Sequence, residues 1–288
     1  MEPYVQTNKI QIYIYGCCVF HHKNDIKTNG MPKKTPVKRV IVTPDKHFPL
    51  ADMPSIKVVC KAIEILKPDS YIDLGDTGEW ESCSHWKWKK KKRPPLEYQM
   101  PSIEKDIKDV NQGMDIIDES LDKINCYTKH FCEGNHEDWV NRFNDEHPYL
   151  NLSIQNAIRL KERGYSYHPA GKYLKIGKLH FYNGHHYASV NHTRNHLMKL
   201  GVNIMYGHHH DVQQSSVTHM DGQKSAWSIG CLKDMSDEEN KWLGYRKTNW
   251  SHAFSIVDFF ENGYFTVHVI QIIKGRTSLW GEIIDGNK

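Results

Sequence analysis

Five short segments of the chain are rich in residues that bind metal ions. They are Asp45-Lys46-His47, Gly75-Asp76, Gly134-Asn135-His136-Glu137, Asn183-Gly184-His185-His186 and Gly207-His208-His209-His210. Carboxylate, imidazole and amide oxygen ligands together suit Mn²⁺, Fe²⁺ or Zn²⁺ better than the all-oxygen sets that Ca²⁺ and Mg²⁺ prefer. The segments hold more candidate ligands than one ion needs, so they indicate two divalent ions.

Each segment follows a stretch that is predicted to be a strand or to lead out of one. Residues 40–42 and 71–74 have the pattern of short buried strands, with an apolar helical stripe between them. A long helix is predicted after Ser102, which can cap it, and another strand is predicted to end near Cys132. This alternation is typical of an α/β protein, in which sites form at the carboxyl ends of strands. We therefore expect the five segments to converge on one crevice.

The second half of the chain is richer in β structure. After residue 172 the sequence predicts short strands at 173–176, 179–182, 202–205, 226–229, 254–259 and 265–273. His192 and His196 are spaced four apart on a predicted helix, but no glutamate follows His192 as it would in a helical zinc-protease motif. We interpret these two histidines as structural or close to the substrate.

Composition bounds the class of protein. The 288 residues include 38 basic and 34 acidic ones, and the resulting charge of +4 does not by itself indicate nucleic-acid binding. No run of about 18 apolar residues is present, so we expect no membrane span. The N-terminal residues lack the pattern of a secretory signal, and the seven cysteines have no regular spacing, so we expect reduced thiols in the cytosol. Cys17, Cys18, His21 and His22 could contribute to a zinc site, but a full four-ligand pattern is absent.

The expected organisation is one catalytic domain with a short extension. Residues 1–36 would form an N-terminal extension with an edge strand or hairpin, and residues 37–288 the domain. A basic insertion at residues 86–95 interrupts the domain and carries Trp86, Lys87, Trp88, Lys89 and Lys90.

The order of the five segments resembles that of the calcineurin-like metallophosphoesterases. That pattern runs Asp-x-His, Gly-Asp, Gly-Asn-His-(Asp/Glu), a later His, and Gly-His-x-His, and the resemblance spans roughly residues 37–273. Residues 203–214 and 250–260 also look like phage and bacterial members. The resemblance implies a four-layer αββα sandwich and an enzyme in the cytoplasm of a bacterial cell or phage-infected host.

The resemblance also implies a role for each site residue. One metal would take Asp45, His47 and His210, with Asp76 bridging to a second metal that takes Asn135 and His208. Mn²⁺ is the first expectation, and Fe²⁺, Zn²⁺ and Mg²⁺ are alternatives. Two ions about 3.5–4 Å apart would generate a bridging hydroxide that attacks the phosphorus. His136 would act on the leaving oxygen, while Glu137 and Glu79 would orient His136 or the metal ligands.

One ligand of the second metal is left open by the sequence. The family usually has His-Gly at the strand end where this chain has Asn183-Gly184, and in that register the ligand is Asn183. Imidazole chemistry instead favours His185, two residues further on. An Asn183 ligand would bind through a neutral oxygen and hold the second ion less tightly.

The basic insertion gives an indication of the substrate. Its lysines can displace counterions from a phosphate backbone, and its indoles can stack on unpaired bases. The alternative is a solvated loop whose tryptophans pack on the domain. We favour a dinuclear-metal phosphodiesterase that acts on DNA or RNA over a phosphomonoesterase that acts on a nucleotide or phosphoprotein, and over a catalytically weak scaffold. No obligate protein partner is evident from the sequence.

Overall fold

The computed structural model describes residues 37–288. The extension predicted for residues 1–36, with its cysteines and histidines, lies outside the described residues. The helices are α1 (Met53–Leu66), α2 (His85–Trp88), α3 (Leu96–Lys123), α4 (Asn135–Glu146), α5 (Ile154–Ala157) and α6 (His192–Leu200). The strands are β1 (Lys38–Thr43), β2 (Ser70–Asp73), β3 (Lys129–Cys132), β4 (Tyr165–His168), β5 (Leu174–Ile176), β6 (Leu179–Phe181), β7 (Asn203–Tyr206), β8 (Val212–His219), β9 (Gly222–Ile229), β10 (Ala253–Phe259), β11 (Phe265–Gln271), β12 (Arg276–Leu279) and β13 (Glu282–Asp285).

The first sheet carries most of the metal-binding segments. Its strand order is β11-β10-β1-β2-β3-β4, and β1 to β4 are parallel to one another. Strands β10 and β11 extend it antiparallel on the other side of β1. Residues 40–42 of β1 are fully buried because both faces of the sheet are covered. This explains why the strand is a continuous apolar run rather than an alternating one.

The second sheet has the order β5-β6-β7-β9-β8 and packs face to face on the first. Side chains of both sheets share one apolar cluster, which includes Val40, Val42, Ile72, Phe181, Met205 and Ile229. A second cluster joins the outer face of the first sheet to α1, α3 and α4. A third joins the outer face of the second sheet to α6 through Leu197. The layers therefore follow the order helices, sheet, sheet, helix, and the predicted α/β class is confirmed.

The long helix begins earlier than predicted. It starts at Leu96 with Pro95 at the N-cap, so Ser102 lies inside the helix and does not cap it. Pro101 is also inside, beyond the first turn, so it lacks the amide hydrogen that would bond to the carbonyl of Glu97. The first turn is held by Gln99, whose side-chain amide donates a 2.7 Å hydrogen bond to the carbonyl of Ser82.

Helix α1 is capped at both ends. Asp52 accepts a 2.9 Å hydrogen bond from the amide of Ser55 at the N-cap, and Lys67 takes a left-handed conformation at the C-cap. No helix between residues 37 and 288 is long and apolar enough to cross a membrane.

Candidate metal centre

The predicted ligands meet where the parallel strands end. Asp45 and His47 lie in the loop after β1, Asp76 in the loop after β2, Asn135 at the start of α4, and His208 after β7. The amide of His136 donates a 3.0 Å hydrogen bond to Asp76 Oδ1, and the amide of His208 donates one of 2.6 Å to Asp45 Oδ2. These bonds join loops of both sheets at one place.

Two groups of side chains are close enough to share a cation. Ligand atoms of Asp45, His47 and His210 all lie within 4.8 Å of one another, and so do those of His47, Asp76 and His136. The Nε2 atoms of His47 and His210 are 3.2 Å apart. His208 Nδ1 lies 3.7 Å from Asp76 Oδ2. The two groups share His47, so they form one continuous centre.

The backbone at this centre is strained. Left-handed φ angles occur at Asp45 (26°), His47 (53°), Asp76 (46°), His208 (64°) and His210 (61°). Each such conformation costs roughly 1–3 kcal/mol in a residue that is not glycine, and such strain concentrates at functional sites. The packing of the loops must supply this energy, so the fold holds these side chains in place.

Glycines allow the loops to approach the two carboxylates. A Cβ atom on Gly134 would lie 2.2 Å from Asp76 Oδ1, and one on Gly207 would lie 2.2 Å from Asp45 Oδ2. Both distances are shorter than a non-bonded contact between a carbon and an oxygen atom can be. The glycines of the Gly-Asn-His and Gly-His-x-His segments are therefore needed sterically, independently of any ligand.

Three buried carboxyl groups lie close together at the centre. Burial and the neighbouring Asp76 carboxylate raise the pKa of Asp45 well above its usual value and raise that of Glu137 to about 8. Burial alone would also raise the pKa of Asp76, but His136 and His208 outweigh it and hold that pKa well below the usual range. Ionising all three carboxyl groups requires positive charge beside them, which a bound divalent cation would supply.

The imidazoles are in the protonation state that metal ligation requires. Burial lowers the pKa of His47 to about 4 and lowers that of His210 well below its ordinary value, so both rings are neutral at pH 7. The buried Nδ1 atom of His210 and the buried Oδ1 atom of Asn135 have no hydrogen-bond partner among residues 37–288. Orphaned buried acceptors are rare, and here both belong to residues of the predicted ligand set. The donor set therefore fits divalent metal ions.

Both predicted supporting glutamates contact the centre. Glu137 accepts hydrogen bonds from the backbone amides of Asp76, Thr77 and Gly78, and so shapes the loop that presents Asp76. Glu79 lies with Oε2 2.9 Å from His47 Nδ1, and its backbone carbonyl is 2.7 Å from His136 Nδ1. Each glutamate thus orients residues that were assigned to the metals or the leaving group.

The segment 183–186 brings both candidate ligands to the centre. Asn183 is fully buried, and its side-chain nitrogen lies 3.3 Å from the carbonyl of Leu74 and 3.5 Å from Asp45 Oδ1. His185 Nδ1 is 3.2 Å from Asn183 Oδ1. Among the described residues His185 belongs to neither group of clustered ligands. The choice between the two stays a prediction.

Two buried ion pairs next to the centre were not anticipated. Lys46 and Asp73 are 2.7 Å apart with side chains at most 2% exposed, and Asp73 also accepts a bond from Thr77 Oγ1 in the loop after β2. Lys233 Nζ lies 2.8 Å from Glu79 Oε2. The position of Lys46 inside Asp45-Lys46-His47 is a signal that could have been used, because a lysine between two buried ligands must itself be paired.

Helix α6 anchors the loop that carries His208 and His210. His192 Nε2 lies 3.0 Å from Asp211, and its Nδ1 lies 2.7 Å from the hydroxyl of Tyr206. The ring of His192 also stacks on His209 with centroids 3.8 Å apart. His192 therefore has a structural role beside the centre, in keeping with its interpretation from the sequence.

The basic insertion begins next to His136. The His136 ring lies 4.0 Å from that of Trp139, which is 6.0 Å from the ring of His85 at the start of α2. Trp86 follows and is 60% exposed. Lys87 pairs with Glu81 at 3.0 Å, whereas Lys89 lies over the Trp86 ring at 4.7 Å. Trp88 is only partly exposed and Lys90 is exposed.

Comparison with known proteins adds the following. No protein-family model matches the chain. It is 21% identical over 265 residues to Gene 54 protein of Mycobacterium phage L5, covering 85% of this chain and 98% of that protein. Among solved structures it is similar to a single mutant of Vps29 from Entamoeba histolytica, with a TM-score of 0.45 and 13% identity over 86% of this chain and 98% of that chain. It is also similar to a dimetal phosphatase from Danio rerio, with a TM-score of 0.41 and 11% identity over 87% and 98% of the two chains.

The identities and TM-scores are low, so the role of each residue rests on the geometry of the centre itself. Fold alone does not define a reaction.

Proposed function

We propose that the protein is a dinuclear-metal phosphoesterase that hydrolyses phosphodiester bonds. The observation that carries this proposal is the convergence of Asp45, His47 and His210 with Asp76 and His136 at the ends of the parallel strands. Carboxylates and neutral imidazoles in one buried centre are the ligand set of a hydrolytic metal pair.

The ligands divide between two sites that share Asp76. Asp45, His47 and His210 would hold the first ion, and Asn135, His208 and one residue of the 183–186 segment the second. We propose Mn²⁺ because the set mixes imidazole with carboxylate and amide oxygen. Bound ions would supply Lewis acidity that activates water near neutral pH and draws charge from the phosphate oxygens.

We propose that His136 assists the leaving group. Its Nδ1 atom faces the carbonyl of Glu79 at 2.7 Å, and a carbonyl can only accept, so Nδ1 carries a proton. Nε2 is then the atom available to the substrate. A protonated His136 can release the Nε2 proton to the leaving oxygen and keep its orientation.

We propose nucleic acid as the natural substrate. The supporting observation is the exposed, lysine-rich insertion that begins two ring contacts away from His136. Trp86 offers an exposed indole and Lys89 to Lys92 are exposed cations. Such a combination binds single strands by stacking and by phosphate contacts.

The reaction class is tested with small substrates. Turnover of bis-p-nitrophenyl phosphate and p-nitrophenyl phosphate is measured with Mn²⁺, and we expect the diester to be preferred. Asp76→Asn should abolish turnover and retain the fold, while Asp122→Asn, an exposed change on α3, should leave it unchanged. Preference for the monoester would favour the phosphomonoesterase alternative. Near-normal turnover of Asp76→Asn in saturating Mn²⁺ would refute the metal mechanism, and two tightly held metals without turnover would indicate a scaffold.

The substrate class is tested with the insertion. Changing Lys89, Lys90, Lys91 and Lys92 to serine should weaken oligonucleotide binding and reduce its log–log salt slope by about 0.7 for each lost single-strand phosphate contact. Turnover of the small diester should stay the same. A control with the same loss of charge changes Lys57, Lys108, Lys123 and Lys161, which are exposed lysines elsewhere. Equal binding by the two variants at low and high salt would show that the insertion is only a solvated loop.

A further inference from the structure

A second set of exposed aromatic side chains adjoins the centre on the His210 side. The ring of Trp250 lies 4.6 Å from that of His210, and the ring of Trp242 lies 6.1 Å from that of Trp250. Trp242 is 66% exposed and Tyr245 is 78% exposed. Large aromatic groups left in water beside a polar centre indicate a binding surface.

The segment that carries Trp242 and Trp250 is held in place by hydrogen bonds of its backbone. The amide of Ser251 donates a 2.8 Å hydrogen bond to the carbonyl of His210, and Trp250 pairs with Asp211 in a β-bridge. Earlier in the sequence, just before Trp242, the buried side chain of Asn240 donates to the carbonyls of Asp234 and Ser236 at 2.8 and 2.9 Å. The position of Trp250 relative to His210 is therefore fixed by backbone hydrogen bonds.

Ring contacts connect the centre to two exposed indoles. Trp86 is reached from His136 through Trp139 and His85, and Trp242 is reached from His210 through Trp250. The rings of His136 and His210 both contact that of His47, with centroids 4.6 and 5.1 Å apart. A continuous series of rings thus runs from one indole, across the centre, to the other.

Part of the segment that carries Trp242 and Trp250 has the positive charge that would favour binding of a polyanion. Lys241, Arg246 and Lys247 are exposed next to Trp242 and Tyr245. The acidic residues 237–239 precede them, so the cationic part is limited to residues 241–247. Stacking of bases on the indoles therefore carries more of the recognition here than phosphate contact does.

We propose that Trp242 and Trp250 form a second base-stacking surface for single-stranded nucleic acid. This proposal rests on the proposed function and deepens it. The strand crosses the centre between this surface and Trp86, so the phosphodiester held at the metals is an internal one. Base–aromatic stacking is tolerant of sequence, because every base has a flat face.

The test compares two equally exposed tryptophans. Binding of fluorescein-labelled dT15 is measured by anisotropy in EDTA, and turnover of bis-p-nitrophenyl phosphate is measured with Mn²⁺. Trp242→Ala should weaken dT15 binding about 5- to 150-fold, the range that loss of one stacked base gives. Trp242→Phe should recover part of the affinity. Trp280→Ala, which removes an indole 64% exposed against β11, should bind like the parent protein.

The outcomes separate the two proposals. Equal binding by Trp242→Ala and the parent protein overturns the second surface even if the diester is hydrolysed, and so does a parent protein that does not bind dT15. A loss of binding confined to Trp242→Ala, with no diester hydrolysed by the parent protein, supports the surface and refutes the reaction class. Where dT15 is cut, internal products from an end-labelled strand support a crossing strand, and release of mononucleotides alone overturns it.

Discussion

Glu79 Oε2 lies 2.9 Å from His47 Nδ1, and the same oxygen lies 2.8 Å from Lys233 Nζ. The carboxylate therefore orients a candidate metal ligand and neutralises a lysine that is 3% exposed. Glu79→Gln should weaken Mn²⁺ binding about 10- to 100-fold, the usual effect of removing a partner of a metal-ligating histidine. It should also lower the free energy of unfolding by about 3 kcal/mol, because Lys233 stays buried without its charge partner. Metal titration and urea denaturation measure the two effects.

The neighbouring Glu81 provides the matched control. It is exposed and pairs with Lys87, so Glu81→Gln should change neither quantity by more than an exposed ion pair contributes, about 0–1 kcal/mol. If Glu79→Gln binds Mn²⁺ as tightly as Glu81→Gln, then Glu79 does not position His47 for a metal.

His136 can act on the leaving group or bind a metal, since its ring lies within reach of both His47 and Asp76. As a proton donor, its loss costs a factor of roughly 10² to 10⁴ in rate and leaves metal content unchanged. We expect this result for His136→Ala, measured as kcat for the small diester and as metal content after dialysis. His268→Ala, an exposed change on β11, is the control. Metal loss from His136→Ala would reassign the residue as a ligand.

Asn183 and His185 are the two alternative ligands of the second ion. The Nδ2 atom of Asn183 donates towards Asp45 Oδ1 at 3.5 Å, and its Oδ1, the atom that can bind a metal, lies 3.2 Å from His185 Nδ1. Because Asn183 is fully buried and His185 is partly exposed, we expect Asn183→Ala to remove more of the second metal than His185→Ala does. The measurement is the number of Mn²⁺ ions retained per chain. A reversed order would make His185 the ligand.

His130 and His168 predict acid sensitivity away from the centre. His130 Nδ1 and His168 Nε2 are 3.2 Å apart. Burial, with help from His168 and Lys38, lowers the pKa of His130 to about 4, and burial lowers the pKa of His168. Both folded-state pKa values lie below the value of about 6.5 in an unfolded chain. The unfolded chain therefore binds more protons between about pH 6.5 and 4, and stability is lost as the pH falls through this range.

Both histidines are partly exposed, so solvent screening limits the effect to roughly 1 kcal/mol. The urea midpoint of the parent protein should fall more between pH 7 and pH 5 than that of His168→Asn. Comparing the two proteins cancels the contribution of the histidines at the centre. Parallel pH profiles would show that the pair has no such role.

The sequence predicted the parts of the fold that leave a one-dimensional pattern. Strand β1 was predictable because a strand buried on both faces is a continuous apolar run, and the ligands were predictable because each follows such a strand. Strands β4 and β8 were missed, since their residues are largely polar or partly exposed and lack an apolar run. Ser102 was wrongly taken as a helix cap, although the helix begins at Leu96.

The contacts that hold the ligands in position were less predictable than the ligands themselves. Glu79 was proposed to orient His136 or a ligand, but its pairing with Lys233 joins residues 154 positions apart. The bond from His192 to Asp211 likewise depends on how α6 packs over the second sheet. Such contacts follow from the tertiary arrangement, and neither spacing nor residue type specifies them.

The two indoles that touch the centre also give the protein a built-in optical reporter. Trp139 lies against His136 and Trp250 against His210, with ring centroids 4.0 and 4.6 Å apart, so each emits beside one half of the centre. Paramagnetic Mn²⁺ quenches a nearby excited indole, whereas diamagnetic Zn²⁺ does not. Occupancy of the centre can therefore be followed in unlabelled protein as Mn²⁺-dependent loss of fluorescence. Replacing Trp250 or Trp139 with phenylalanine would separate the signals of the two halves.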